Sequence, residues 1–233
     1  PIVHFHTLFS KKPFVGATMA ISSHLTLLTG IAGINVYIVR ILKLPFDISL
    51  HFYFFFFVGV IITGILKMFF YSSVGAGFLG TLGSSALLYV SIHWIILGNT
   101  INIPLLYIQG LLLGFGASMT LVSGSMATLL DGDLKEAAQR SQTMHTMRNF
   151  SAAMLIPIIA YTIKNHIQKG TQSIYAENIT DKMIYLKKLQ DVAIDADHQI
   201  FLLMIIFNMV MFVSSIIQMI LGKGRRITPP RES

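Results

Sequence analysis

The chain has 233 residues, of which 54% are hydrophobic and only 12% are charged, against about 25% charged in a typical soluble domain. Its net charge of +7 comes from basic residues in the gaps between long apolar runs, which indicates membrane orientation and not nucleic-acid binding. The absence of cysteine excludes disulfides and thiolate metal sites. We therefore expect an all-α protein whose partner is the lipid bilayer, with no metal and no cofactor. Because the chain opens with Pro1 and no signal segment, we also expect it to be part of a longer protein.

Apolar segments follow one another along the chain, and a bilayer takes about 20 residues of helix to cross. The break between the third and fourth segments lies at 98–104, where turn-forming residues precede Pro104. The fifth segment is short, but Arg148 and Lys164 flank it with side chains long enough to reach the headgroups. The predicted spans are 14–39, 48–66, 75–96, 105–130, 149–163 and 199–221. The sequence thus predicts a polytopic transmembrane helix bundle of six spans over residues 1–222, followed by a basic tail at 223–233.

The basic residues of the short connections predict the orientation. An even number of spans places both termini on one side, and most of these cations lie on that side, which the positive-inside rule makes cytoplasmic. The segment 165–198 is then expected to be an extracytoplasmic loop with a short surface helix that Asn178 caps. We expect an integral protein of the bacterial inner membrane.

Small residues line one face of the fourth predicted span. Gly110 and Gly114 have a spacing that lets two helices approach closely, and Ala117, Gly124 and Thr128 continue the same face. This pattern is typical of tight packing, and a sliding or rocking interface is the alternative. The third span has a similar pattern around Gly80. Gly80, Gly110 and Gly114 are therefore candidate packing pivots.

Polar side chains within the spans are candidates for a substrate cavity. His24 and Asn35 share a face of the first span; they either border one cavity or each bond to a neighbouring backbone carbonyl. Asn208 and Ser215 belong to a polar, methionine-rich stripe of the sixth span, for which plain packing is the alternative. No Asp or Glu lies inside a predicted span, so carboxylates that carry coupling protons are expected outside this chain.

The sequence contains no residue pattern that is typical of an enzyme active site. His4 and His6 stand two positions apart without a further ligand, which is weak evidence for a metal site. No nucleophile, phosphate loop or ligand cluster is recognisable, so we do not expect an enzyme.

Several segments resemble a known family. They are Pro1 to Val3 with Leu8 to Phe14, Gly114-Phe115-Gly116, the connector from Asp131 to Ser141, and Met147 to Phe150. They are similar to the late spans of major facilitator superfamily transporters of the fourteen-span drug/proton antiporter branch, and the resemblance covers nearly the whole chain as the last six spans. The chain departs from the family in the turn after the second span. The acidic residue of the family's signature is absent there, and only Gly64, Lys67 and Gly75 resemble that signature.

The fifth span departs from the family as well. Ser151 and Leu155 stand where the family has glycines, and Pro157 is expected to interrupt and bend the helix. Arg148 lies at the cytoplasmic end of this span. The resemblance implies that Arg148 is an orientation or gating residue.

The resemblance implies the C-terminal half of a secondary transporter. A missing N-terminal bundle would complete it, and a small organic or drug-like solute would cross by alternating access with proton coupling. The alternative is a non-transporting membrane scaffold or assembly subunit. The absence of Asp and Glu from the predicted spans favours this alternative.

Overall fold

A computed structural model describes residues 8–131, 134–177 and 181–222, and all their regular secondary structure is helical. A π-helical turn, Val36–Ile41, continues the first helix, and a 3-10 turn, Leu134–Glu136, precedes the fourth. The helices are α1 Lys11–Asn35, α2 Phe46–Trp94, α3 Ile103–Leu130, α4 Ala137–Ala176 and α5 Lys182–Ile220. Among them α1 with its π-helical turn, α2, α3 and α5 are long and apolar enough to cross a membrane. The all-α class is confirmed, whereas the number of six spans stays a prediction.

Side-chain hydrogen bonds cap the N-termini of two of the helices, α3 and α5. The Asn102 side chain accepts a hydrogen bond from the backbone N–H of Leu105 at 3.2 Å, next to Pro104 in the first turn of α3. Asp181 accepts from the N–H of Met183 at 2.7 Å and so caps α5. Asn178, the predicted cap, lies outside the described residues.

Helix α2 is folded back on itself at Gly75. Gly75 has φ 82° and ψ 170°, which is not helical and which a glycine adopts without a Cβ clash. Phe52 and Trp94 are 42 positions apart, about 63 Å in a straight helix, yet their ring centroids are 6.3 Å apart. Residues 46–74 form the first arm of α2, and residues 76–94 form the second arm, antiparallel to it.

Contacts with α1 fix the direction of α3. Gly16 near the start of α1 lies against Thr128 near the end of α3. Further along α1, Ser23 donates a hydrogen bond to the carbonyl oxygen of Ala117, at 3.1 Å. The two helices are therefore antiparallel.

Helix α5 runs antiparallel to α1 as well. Near the start of α1, Met19 accepts a hydrogen bond at its sulfur from Ser215, at 3.0 Å. Near the end of α1, Gly33 packs on the ring of Phe201. We call the end of the bundle that holds Trp94 the Trp94 end, and the opposite end, which holds Arg140, the Arg140 end.

The segment 165–198 differs from the predicted loop with one short helix. Helix α4 continues through Pro157 to Ala176, and α5 begins at Lys182. The two helices remain paired there, because Gly170 lies against Val192 and Lys188 forms an ion pair with Glu177. Proline does not end α4, and the bend at Pro157 stays a prediction.

Candidate functional site

The small residues of α3 contact two different neighbours. A Cβ at Gly110 would lie 2.8 Å from the carbonyl oxygen of Phe52, and one at Gly114 would overlap the carbonyl oxygen of Phe56, both in the first arm of α2. Gly124, predicted on the same face, lies instead against α1. The small residues therefore let the backbones of two helices approach α3 closely.

Gly80 and Ser215 meet where α1, the second arm of α2 and α5 cross. A Cβ at Gly80 would lie 2.6 Å from the sulfur of Met19 and 2.8 Å from Oγ of Ser215. Ser215 is fully buried and donates to the carbonyl oxygen of Met211, at 2.9 Å, or to the Met19 sulfur. The hydroxyl of Ser215 is thus satisfied within the packed core.

Asn208 is also fully buried, on the face of α5 that packs against α2. Its Nδ2 donates to Oγ of Ser91 at 3.1 Å, and its Oδ1 has no hydrogen-bond partner among the described residues. About one helical turn after Ser91 in α2, Nε1 of Trp94 donates to Oε1 of Gln109 at 2.8 Å. These bonds tie α5 to α2, and α2 to α3, through side chains without charge.

His24 and Asn35 lie on a half-buried face of α1, apart from Asn208 and Ser215. The side chain of Asn35 lies close to Tyr53 of the first arm. His24 is close enough to Arg148 of α4 for their charges to interact. The structure thus divides the four predicted cavity residues into two pairs, one in the core and one on the half-buried face.

Arg148 is the centre of a basic cluster on α4 and α1. Its Nε is inaccessible to solvent and has no hydrogen-bond partner among the described residues. Burial, and then the charge of Arg148, lower the pKa of His145 on the same helix. An arginine with an unused donor can bind a carboxylate or another anion.

Lys67 differs from its predicted place in a cytoplasmic turn. It lies within the first arm of α2, which continues past it to residue 74. Its side chain is half-buried, and Nζ donates to the carbonyl oxygen of Ser118 in α3 at 2.5 Å. Lys67 thus joins two helices within the bundle.

Arg140 caps the end of α3, a role that sequence reasoning missed. The side chain is 1% exposed, and it donates to the carbonyl oxygens of Thr128 and Leu129, both at 2.9 Å. These carbonyls have no partner within α3, and a cation is favourable at a helix C-terminus. The signal was a basic residue shortly after a predicted helix end. Nearby, Gln218 of α5 donates to Asp131 at 2.9 Å.

Asp197 is the second functional candidate that the sequence did not reveal. It was predicted in a loop, but it lies in α5 and is 1% exposed, so the chain does place a carboxylate inside the bundle. Neither oxygen of its carboxyl group has a hydrogen-bond partner among the described residues. The sequence signal was helical spacing, because steps of three and four residues place Asp197 on the same helix face as the buried Ile194, Phe201 and Met204.

No group of three His, Asp or Glu residues in the described part of the chain could hold a metal ion. His4 and His6 lie outside that part. No protein-family model matches the chain, and no curated protein matches it. Length and composition of α1, α2, α3 and α5 define the chain as an integral membrane protein.

Proposed function

We propose that the chain is the C-terminal six-span half of a secondary transporter of the major facilitator type, in the fourteen-span drug/proton antiporter branch. The observation that carries the proposal is that His24, in the apolar helix α1, lies close enough to Arg148 of α4 for the two groups to interact electrostatically. Ionisable side chains are costly in a membrane and are retained where a solute or ion passes.

The chain direction supports the number of six spans. The fold of α2 at Gly75 turns one long helix into two antiparallel arms. With α1, α3, α4 and α5 these arms make six helical segments. Six crossings would place both termini on the cytoplasmic side of a bacterial inner membrane, together with Arg140 and Arg148.

The half-buried face of α1 is where the missing N-terminal bundle would pack. His24 and Asn35 lie on this face, and Arg148 of α4 lies close to His24. A small organic solute would bind between the two bundles, and rocking of one bundle against the other would open the site to each side in turn.

Solute flux in proteoliposomes tests this proposal. We expect the full-length protein to move at least one compound of a broad panel of drug-like solutes, with a rate that depends on an imposed proton gradient. Arg148→Gln should reduce the rate about tenfold, which corresponds to about 1.4 kcal/mol. Lys164→Gln, at an exposed position of the same helix, is the matched control and should keep the rate.

A non-transporting membrane scaffold is the second candidate. Asn208 and Ser215 favour it, because both are sealed in the core and neither is open to a solute. Folded protein that moves no solute of the panel, and that co-purifies in constant proportion with another membrane protein, would support the scaffold and contradict transport.

A further inference from the structure

Asp197 lies at the Trp94 end, where α5 meets the end of α1 and the end of α2. Tyr37 of the π-helical turn donates its hydroxyl to the carbonyl oxygen of Gly98 and interacts electrostatically with Asp197. Beside it, Nε2 of His198 is 2.8 Å from the carbonyl oxygen of Leu97. The hydroxyl of Tyr37 and the Nε2–H of His198 thus already donate to the carbonyl oxygens of Gly98 and Leu97, and neither donates to the carboxyl group of Asp197.

A buried carboxylate without a partner is unstable as an ion. Moving an isolated carboxylate out of water costs far more than moving the neutral acid, so the group takes up a proton instead. No ion pair among the described residues includes Asp197. The packed arrangement of α5 therefore favours the protonated acid over the anion.

Two clefts open at the Trp94 end near Asp197, although Asp197 itself lines neither of them. One, of about 290 Å³, is lined by Leu97, Gly98 and Gln109. The other, of about 440 Å³, separates the π-helical turn from α5 and reaches Ala193, one helical turn before Asp197. The titratable and charged groups around Asp197 are Tyr37 and His198, with His93, Arg40 and Lys43 in the cleft walls. Water in the second cleft therefore comes within one helical turn of Asp197 along α5.

We propose that Asp197 is a binding site for an exchangeable proton, and that loss of this proton separates α5 from the π-helical turn at the Trp94 end. The anion gains hydration only when water enters between the two elements, so proton release and local opening are one event. The proton site itself stands on the burial of Asp197; only its use as the coupling site rests on the proposed transport function.

Chemical modification tests the proton directly. An apolar carbodiimide adds to protonated carboxyl groups, and digestion with mass spectrometry locates the adduct in the full-length protein. A freely exposed carboxyl group is protonated in only about one molecule in a thousand at neutral pH. We expect at least about tenfold more adduct on Asp197 than on Asp195, an exposed carboxylate of the same helix. Equal or weaker modification of Asp197 would overturn the proposal.

A distance measurement tests the opening. The chain has no cysteine, so Arg40→Cys and Lys187→Cys place one spin label on the π-helical turn and one on α5. We expect the distance between the labels to grow by about 3 Å or more between about pH 5 and about pH 9. Asp197→Asn should remove this change, because the amide cannot ionise, and Asp195→Asn should keep it.

A pH-dependent distance that survives Asp197→Asn would overturn the assignment of the opening to Asp197. Failure of transport is a separate outcome. If no solute moves but the adduct and the distance change are observed, the proton site stands and the transporter proposal does not.

Discussion

Replacing Gly124 by alanine should destabilise the bundle, although alanine is the better helix former. Gly124 lies where α3 crosses α1. A Cβ there would be 2.7 Å from the carbonyl oxygen of Gly16 and 2.8 Å from the backbone nitrogen of Ala20. Both atoms belong to the backbone of α1, so no side-chain rotation relieves the contact.

The magnitude follows from two opposing effects. An ordinary van der Waals contact begins at 3.4 Å, so the helices must move apart by about 0.7 Å, and such overpacking costs about 1–3 kcal/mol. Alanine returns about 1 kcal/mol of helix propensity. The net loss in the free energy of unfolding is up to about 2 kcal/mol, or up to about 8 °C in Tm for a chain of this size.

Thermal unfolding in detergent, followed by fluorescence of the single tryptophan, measures this loss. Trp94 is fully buried between α2 and α3, so its emission reports the packed state. Gly64→Ala is the matched control, because a Cβ at Gly64 meets nothing within 4 Å. We expect Gly64→Ala to keep or raise Tm. If Gly124→Ala were as stable as Gly64→Ala, the close crossing of α1 and α3 would be refuted.

Two further results are expected. Arg140→Ala should lower the stability by about 2 kcal/mol, because two hydrogen bonds from a charged group to the carbonyls of Thr128 and Leu129 are lost; Arg140→Lys should fall between it and the wild type, and an unchanged Tm for both would contradict the cap. Cysteine introduced at Ser173 should react with an impermeant reagent from outside intact cells, whereas cysteine at Ser233 should not, and the reverse pattern would refute the proposed orientation.

The pairing of α2 with itself shows what sequence reading achieves for the fold. The sequence predicted a turn after the second span, which ends at residue 66, and a third span that begins at residue 75. That is the residue at which α2 folds back. The first arm nevertheless continues well past Leu66, because helix hydrogen bonds form regardless of whether the residues lie in lipid or at its surface. Hydropathy therefore locates apolar segments better than it locates helix ends.

The candidate site was less predictable than the fold. His24 and Asn208 were both recognised as polar residues in apolar helices. The spacing of residues within one helix does not determine which neighbouring helix each side chain contacts. Asp197 was missed because its surroundings come from segments far away in the chain, such as Tyr37. Burial of a charged group depends on such distant partners, and no local pattern contains them.

The sequence by itself determined that this is an all-helical membrane protein, because long apolar runs without charge can satisfy their backbone groups in lipid only as helices. It also located the small residues at which helices approach closely. Only the tertiary structure decided that Gly110 and Gly124 contact different neighbours, that α4 and α5 remain paired through the described residues of 165–198, and that Asp197 is enclosed. These features depend on which surfaces of distant segments fit together, and packing of complete side chains, not their local order, selects that fit.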